Sequence, residues 1–172
     1  MKTPPHVVLI GFMGAGKSSV GKRLAQQWGC VFIDADERIE EREGLSIPDI
    51  FREFGEGYFR NLETEFLKAL WQAGHMRLVL ATGGGMVERS ENHELIKRLG
   101  KVIYLRADLN TVMERVPLDP HRPLLKNPDI IKQRFALRQP LYEGLADRVV
   151  DTAGKDPERV TEEIIKIMTN TR

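Results

Sequence analysis

Apolar residues along this chain fall into two alternating patterns. Short, nearly continuous apolar runs bounded by turn residues stand at 7–10, 31–33, 78–81, 102–105 and 148–150. Runs of that length without polar alternation predict strands buried on both faces. Between them, apolar residues recur three or four positions apart, which predicts helices at 17–28, 36–42, 47–54, 58–73, 91–99, 109–115, 128–145 and 157–168. Strands alternating with helices predict an α/β fold, a five-stranded parallel sheet flanked by helices in three layers.

End signals sharpen several of these elements. Ser46 with Asp49 makes a capping-box-like start, Gly44 and Gly74 suit left-handed helix stops, and Asp156 before Pro157 gives an N-cap followed by proline in the first turn. Gly55-Glu56-Gly57 interrupts the helical pattern between 47 and 71, which predicts a bend and a pocket wall there. Pro117, Pro120 and Pro123 make 116–123 irregular, either a spacer or a lid.

Size and charge narrow the class. A chain of 172 residues buries one sizeable core, so 1–172 is expected to be a single domain. With 26 Lys and Arg against 25 Asp and Glu, no global field draws it to nucleic acid or an anionic membrane. Cys30 is the single cysteine, so an intramolecular disulfide is impossible, and His6, His75, His93 and His121 lack metal-ligand spacing. A reducing cytoplasm fits. The apolar run at 7–10 is too short for a signal peptide, and no stretch approaches the roughly 20 apolar residues that span a bilayer.

The first chemical signal is Gly11-Phe12-Met13-Gly14-Ala15-Gly16-Lys17-Ser18, a full P-loop pattern between a predicted strand and a predicted helix. Small residues let backbone N–H groups close around phosphates, and the helix N-terminus adds partial positive charge. Lys17 is expected to reach the β- and γ-phosphates and Ser18 to ligate Mg2+. A glycine-rich turn that merely links strand to helix is the bland alternative, and the eight-residue pattern in this context argues against it. Asp151-Thr152-Ala153-Gly154 looks like the γ-phosphate sensor of GTPase switches. The chain has no Asn-Lys-x-Asp guanine-reading sequence, so this tetrapeptide reads as the loop into the last helix. A regulatory nucleotide-binding module would carry the P-loop without a second constellation for an acceptor.

A second constellation is present. Asp34 and Asp36 stand at the end of a predicted strand, where open α/β sheets place ligand sites. On extended chain the two side chains would leave on one side, Asp34 toward the metal shell and Asp36 toward a substrate hydroxyl. The alternative is that Asp36 caps the following helix. Arg60 and Glu63, three apart on a helix flank, taken alone make an ordinary surface ion pair. Gly83-Gly84-Gly85 after a strand implies a close approach to the backbone, or a loose turn. Arg122 ends the proline-rich segment, and Arg138 stands just before Pro140, a helix breaker.

Taken in order, GFMGAGKSS, FIDADERIE, FGEGYFRNLE, ATGGG, RPLL and RQPLY resemble the shikimate kinases, a nucleoside-monophosphate-kinase-like P-loop family, from 7 to about 157. The family usually has Lys-Ser-Thr where this chain has Lys17-Ser18-Ser19, and Ser19 keeps the hydroxyl. The resemblance implies a P-loop kinase fold with a mobile lid at about 116–125 and a substrate-binding region at about 34–63. It implies ATP-dependent phosphorylation of the 3-hydroxyl of shikimate, with Mg2+ held by Ser18 and Asp34. By the same resemblance ATP would meet Gly11, Gly14, Ala15, Gly16, Lys17, Ser18, Ser19, Arg115, Arg122, Lys155 and Pro157. Shikimate would meet Asp36, Arg60, Gly83, Gly84, Gly85 and Arg138, with Glu63 orienting Arg60. Lys17, Asp36 and Arg122 would carry the transfer. The expected partners are these two small molecules alone, bound to a monomer, and another small hydroxylated acid such as gluconate is the alternative acceptor.

Overall fold

The computed structural model describes residues 6–74, 77–118 and 125–170. The stretch 119–124, which includes Arg122 and most of the expected lid, lies outside them.

Five strands form one parallel sheet: β1 (Val7–Ile10), β2 (Val31–Asp34), β3 (Leu78–Ala81), β4 (Lys101–Arg106) and β5 (Arg148–Asp151), in the order β2-β3-β1-β4-β5. Every residue of β1 and β3 is buried. These strands are therefore unbroken apolar runs, each Val, Leu or Ile side chain contributing about 1.5–3 kcal/mol by leaving water. The helices are α1 (Lys17–Trp28), α2 (Ala35–Glu43), α3 (Ile47–Ala73), α4 (Ser90–Leu99), α5 (Leu109–Arg115), α6 (Pro128–Leu145) and α7 (Pro157–Asn170). α1 packs with α7, while α4 and α6 lie against β4. No helix among the described residues is long and apolar enough to cross a membrane.

Local differences from the expected elements have physical causes. The bend in α3 falls at one residue, Gly55, whose φ of 83° and ψ of 170° break the helix between two turns. α6 spans Pro128–Leu145 as expected and runs through Pro140, the helix breaker within it, with Arg138 and Tyr142 buried on either side. Tertiary packing overrides the missing hydrogen bond there. Gly44 is left-handed, as expected, but Gly74 pairs φ 59° with ψ 153° and leaves its helix in an extended direction. A 3-10 turn, Met86–Glu88, follows the glycine run and is too short for periodicity to reveal.

The sheet places the chemistry. In a parallel sheet all strands end on one edge, and β1 lies beside β3 with Leu9 opposite Ala81. Thr82 reinforces that register by donating both its N–H, at 3.1 Å, and its Oγ1, at 3.0 Å, to the Leu9 carbonyl. The P-loop after β1, the glycine run after β3 and Asp34 at the end of β2 thus emerge side by side, the arrangement that makes this edge a ligand site.

Candidate active site

The nucleotide half is built from backbone. Gly16, in the left-handed region, is the residue before α1, so the first N–H groups of that helix open toward the loop. Lys17 Nζ donates to the carbonyls of Gly11 at 2.6 Å and Phe12 at 3.0 Å, which holds its charge over the loop. Burial pulls the Lys17 pKa down to about 8, against the attraction of Asp36, so the ammonium is still charged at neutral pH. A second cavity of about 230 Å³ is lined by Gly14, Ala15, Gly16, Arg115, Lys155 and Pro157, the residues expected around the nucleotide. Thr152 and Val160 join them. Arg115 ties the cavity together, donating to the carbonyls of Gly14 and Thr152, both at 3.2 Å. Lys155 pairs with Glu163 at 2.6 Å, and Ser19 is exposed on the first turn of α1.

Asp34 and Asp36 divide their work differently from the expected extended pair. The helix α2 already begins at Ala35, so Asp34 is its cap: Oδ1 accepts from the N–H groups of Asp36 at 3.0 Å and Glu37 at 3.3 Å. Its other oxygen, Oδ2, accepts from Ser18 Oγ. Asp36 is in the first helical turn and is not the cap. Ser18 and Asp34 thus bring two hard oxygen donors together beside the P-loop. Among the described residues no three His, Cys, Asp or Glu side chains cluster as a closed metal cage. This oxygen pair fits an ion such as Mg2+, which takes its other ligands from water and phosphate.

The acceptor half is a cleft of about 340 Å³ next to the P-loop, and Asp36, Arg60, Glu63, Gly83, Gly84, Gly85 and Arg138 all line it. Phe51, Phe59, Ile47 and Leu125 supply apolar wall. The Arg60–Glu63 pair corrects the surface reading: Arg60 is 6% and Glu63 0% exposed, joined at 2.7 Å. The glycines explain how charged groups enter the wall. A Cβ on Gly83 would stand 2.6 Å from Asp36 Oδ1 and 2.9 Å from Glu63 Oε1, and one on Gly85 only 2.2 Å from Arg60 Nη2. The close approach that three glycines imply is made by this chain's own side chains.

Four buried polar atoms lack a hydrogen-bond partner among the described residues: Asp36 Oδ1, Glu63 Oε1, Arg60 Nε and Arg138 Nη2. Each such group costs about 1–3 kcal/mol unless a ligand satisfies it. Two are carboxylate acceptors and two are guanidinium donors. Burial, and then the nearby charge of Asp34, pushes Asp36 up to about 6, and burial pushes Glu63 up to about 7 despite Arg60.

Sequence reasoning missed three residues behind this wall. Glu88 accepts from Arg138 Nε at 2.7 Å and from Arg134 at 3.3 Å, while Glu56 pairs with Arg60 at 3.2 Å and Arg134 at 3.1 Å. The visible signals are the i, i+4 spacings of Glu56 with Arg60 and of Arg134 with Arg138.

A P-loop with an oxygen pair for a cation, set against a cleft of unsatisfied carboxylate and guanidinium groups, defines the class: a P-loop phosphotransferase for a small, hydroxylated, anionic acceptor. A family profile described as shikimate kinase matches residues 13–169. The shikimate kinase of Thermodesulfovibrio yellowstonii is 47% identical over 164 residues, 94% of this chain and 93% of that protein. A shikimate kinase from Acinetobacter baumannii, solved in complex with shikimate, superposes with a TM-score of 0.91 at 36% identity, covering 98% of this chain and 96% of that one. A gluconokinase from Sinorhizobium meliloti, at TM-score 0.60 and 22% identity over 98% of this chain and 94% of its own, shares the fold alone. The chain belongs to the shikimate kinase family.

Proposed function

We propose that this chain transfers the γ-phosphoryl group of ATP to the 3-hydroxyl of shikimate, giving shikimate 3-phosphate and ADP. The observation that carries this reading is the set of four buried polar atoms, on residues that line the cleft beside the P-loop, that make no hydrogen bond among the described residues. Arg60 Nε and Arg138 Nη2 are donors for a carboxylate, and Asp36 Oδ1 and Glu63 Oε1 are acceptors for hydroxyls. Shikimate, a ring carboxylate with three hydroxyls, carries the complementary groups.

The residues then take distinct parts. Backbone N–H groups of the P-loop and the α1 N-terminus hold the phosphates, and Lys17, charged at neutral pH, follows the negative charge that develops on the transferring group. Ser18 and Asp34 would hold Mg2+, which when bound neutralises phosphate charge. Asp36, largely ionised at pH 7 with its pKa near 6, accepts the proton end of the attacking hydroxyl and aims its oxygen at the phosphorus. Glu63 braces Arg60 from within the wall. Arg122 is assigned to the transferring phosphate by resemblance. We take a single chain as the working unit, since residues of one chain line both cavities.

A panel of acceptors assayed with ATP and Mg2+ tests the reading. Shikimate is expected to be phosphorylated with the highest kcat/KM. Faster transfer to gluconate, or ATP binding without transfer to any acid in the panel, would overturn it.

A further inference from the structure

Arg60 and Arg138 face the acceptor from different elements, α3 and α6, and their spacing must be held by something. Glu88, at the end of the Met86–Glu88 turn, stands between them. Its carboxylate accepts from Arg138 Nε at 2.7 Å, lies 3.9 Å from Arg60 Nε, and accepts from Arg134 Nη1 at 3.3 and 3.4 Å. Arg134 reaches onward to Glu56 at 3.1 Å, and Glu56 returns to Arg60 at 3.2 Å. The ion pairs close a ring, Arg60–Glu56–Arg134–Glu88, with Arg138 joined to it through Glu88.

Two features separate this ring from ordinary surface pairing, which contributes little. The side chain of Glu88 is 17% exposed and that of Arg138 1%, so the bond between these two is shielded from water. The turn that carries Glu88 is itself pinned. Asn92 donates to the Met86 carbonyl at 2.9 Å and His93 contacts the Val87 carbonyl at 2.6 Å, while Arg89 donates to Asn61 at 2.6 Å and the Gly57 carbonyl at 3.3 Å. Glu88 is a fixed post rather than a mobile acid. It engages Arg138 through Nε, and Arg138 Nη2, on a residue lining the cleft, makes no hydrogen bond among the described residues. Arg60 and Arg138 line the cleft, whereas Glu88, which pairs with both, and Arg134 are not among its lining residues.

Building on shikimate as acceptor, we infer that Glu88, braced by Arg134, is a positioning residue that sets the gap between the Arg60 and Arg138 guanidinium groups and thereby the affinity for the acceptor's carboxylate. It touches neither substrate nor nucleotide. Its effect should appear in acceptor binding rather than in the transfer step.

The test uses the full chain and calorimetric binding of shikimate and of ATP to wild type, Glu88→Gln, Arg134→Met and Arg134→Lys, with steady-state kinetics on each. Glu88→Gln is expected to weaken shikimate binding about tenfold, the scale of one charge-assisted hydrogen bond. ATP binding should stay within about twofold and kcat within about threefold. Arg134→Met should weaken shikimate a few-fold, with Arg134→Lys recovering part of the loss. An analogue with the carboxylate replaced by carboxamide should bind wild type and Glu88→Gln with nearly equal, weaker affinity. Unchanged shikimate affinity in both Glu88→Gln and Arg134→Met would overturn the inference. So would equal losses of shikimate and ATP, the same ratio for the carboxamide, or tighter shikimate binding, which would make Glu88 a competitor for the carboxylate. If wild type binds no shikimate, the acceptor assignment itself falls; if wild type binds it and the variants bind it equally, only the role of Glu88 falls.

Discussion

Gly16 and Gly85, one from each of the two glycine-rich loops of this chain, are glycine for opposite reasons. Gly16 in the P-loop has φ 93° and ψ 20°, and a Cβ there would meet nothing within 4 Å. Its glycine is a matter of backbone conformation, which an L side chain would oppose by about 1–2 kcal/mol. Gly85 has φ −93° and ψ 0°, open to any residue, but a Cβ there would collide with Arg60 at 2.2 Å. Its glycine is a matter of space for another element's side chain. The phosphate loop is therefore a property of eight contiguous residues, while the acceptor cleft is a property of how α3, α6 and the loop after β3 meet.

That contrast is broken most severely at the shared charges. Lys17→Ala should reduce turnover on the order of a thousandfold, since Lys17 faces the transferring phosphate from a site preorganised by the Gly11 and Phe12 carbonyls. Single-turnover measurement at saturating ATP checks it, and near-normal turnover would remove Lys17 from the mechanism. Asp36→Asn should lower kcat about a hundredfold while the KM for ATP stays within about threefold. Equal losses on both substrates would show that the halves are not separable at this residue.

The glycines sharpen the comparison directly. Gly85→Ala should raise the KM for shikimate about thirtyfold by displacing the buried Arg60 guanidinium, with the KM for ATP nearly unchanged. Gly16→Ala should do the reverse, weakening ATP about tenfold with little effect on shikimate, because it alters the loop conformation alone. Calorimetry with each ligand separately distinguishes the two, and a common pattern for both variants would dissolve the distinction.

The same difference decides what could be read in advance. β1, β3, α1 and the P-loop were legible to the residue, because a strand buried on both faces and a contiguous phosphate loop are written in neighbouring positions. The Arg60–Glu63 pair looks like surface until Gly83 and Gly85 make room for it from another strand's end. Asp34 and Asp36 exchange the cap because α2 starts one residue earlier than its apolar pattern indicates. Glu88 was silent, and Arg134 showed only its i, i+4 spacing to Arg138, because their ion-pair partners come from other elements.

The smallest expected effect concerns stability, and its sign distinguishes a functional Asp36 from a structural one. Burial, and then the charge of Asp34, raises the Asp36 pKa from its ordinary 3.8 to about 6. Below its unfolded pKa the carboxyl is neutral in both states and its contribution to stability is complete. As pH rises through about 6 the folded state must carry a poorly solvated charge, and that contribution is lost. Glu88, whose burial would raise its pKa but which Arg138 and the neighbouring arginines hold below its ordinary value, behaves oppositely and loses its contribution as pH falls. The difference between wild type and Asp36→Asn cancels Glu88 and isolates Asp36. With partial exposure discounted, the shift corresponds to about 2 kcal/mol, or about 5 °C in Tm for a chain of this size. Asp36→Asn, though nearly inactive, is therefore expected to melt about 5 °C above wild type at pH 8, with the gap closing toward pH 4. A residue whose role was to cap α2 would show the reverse, a variant less stable at every pH, and that result would return Asp36 to a structural part. The geometry already gives the cap to Asp34, which accepts both N–H groups of the first turn. Asp36 is free to be held in a charged, destabilising position whose use is the acceptor's hydroxyl.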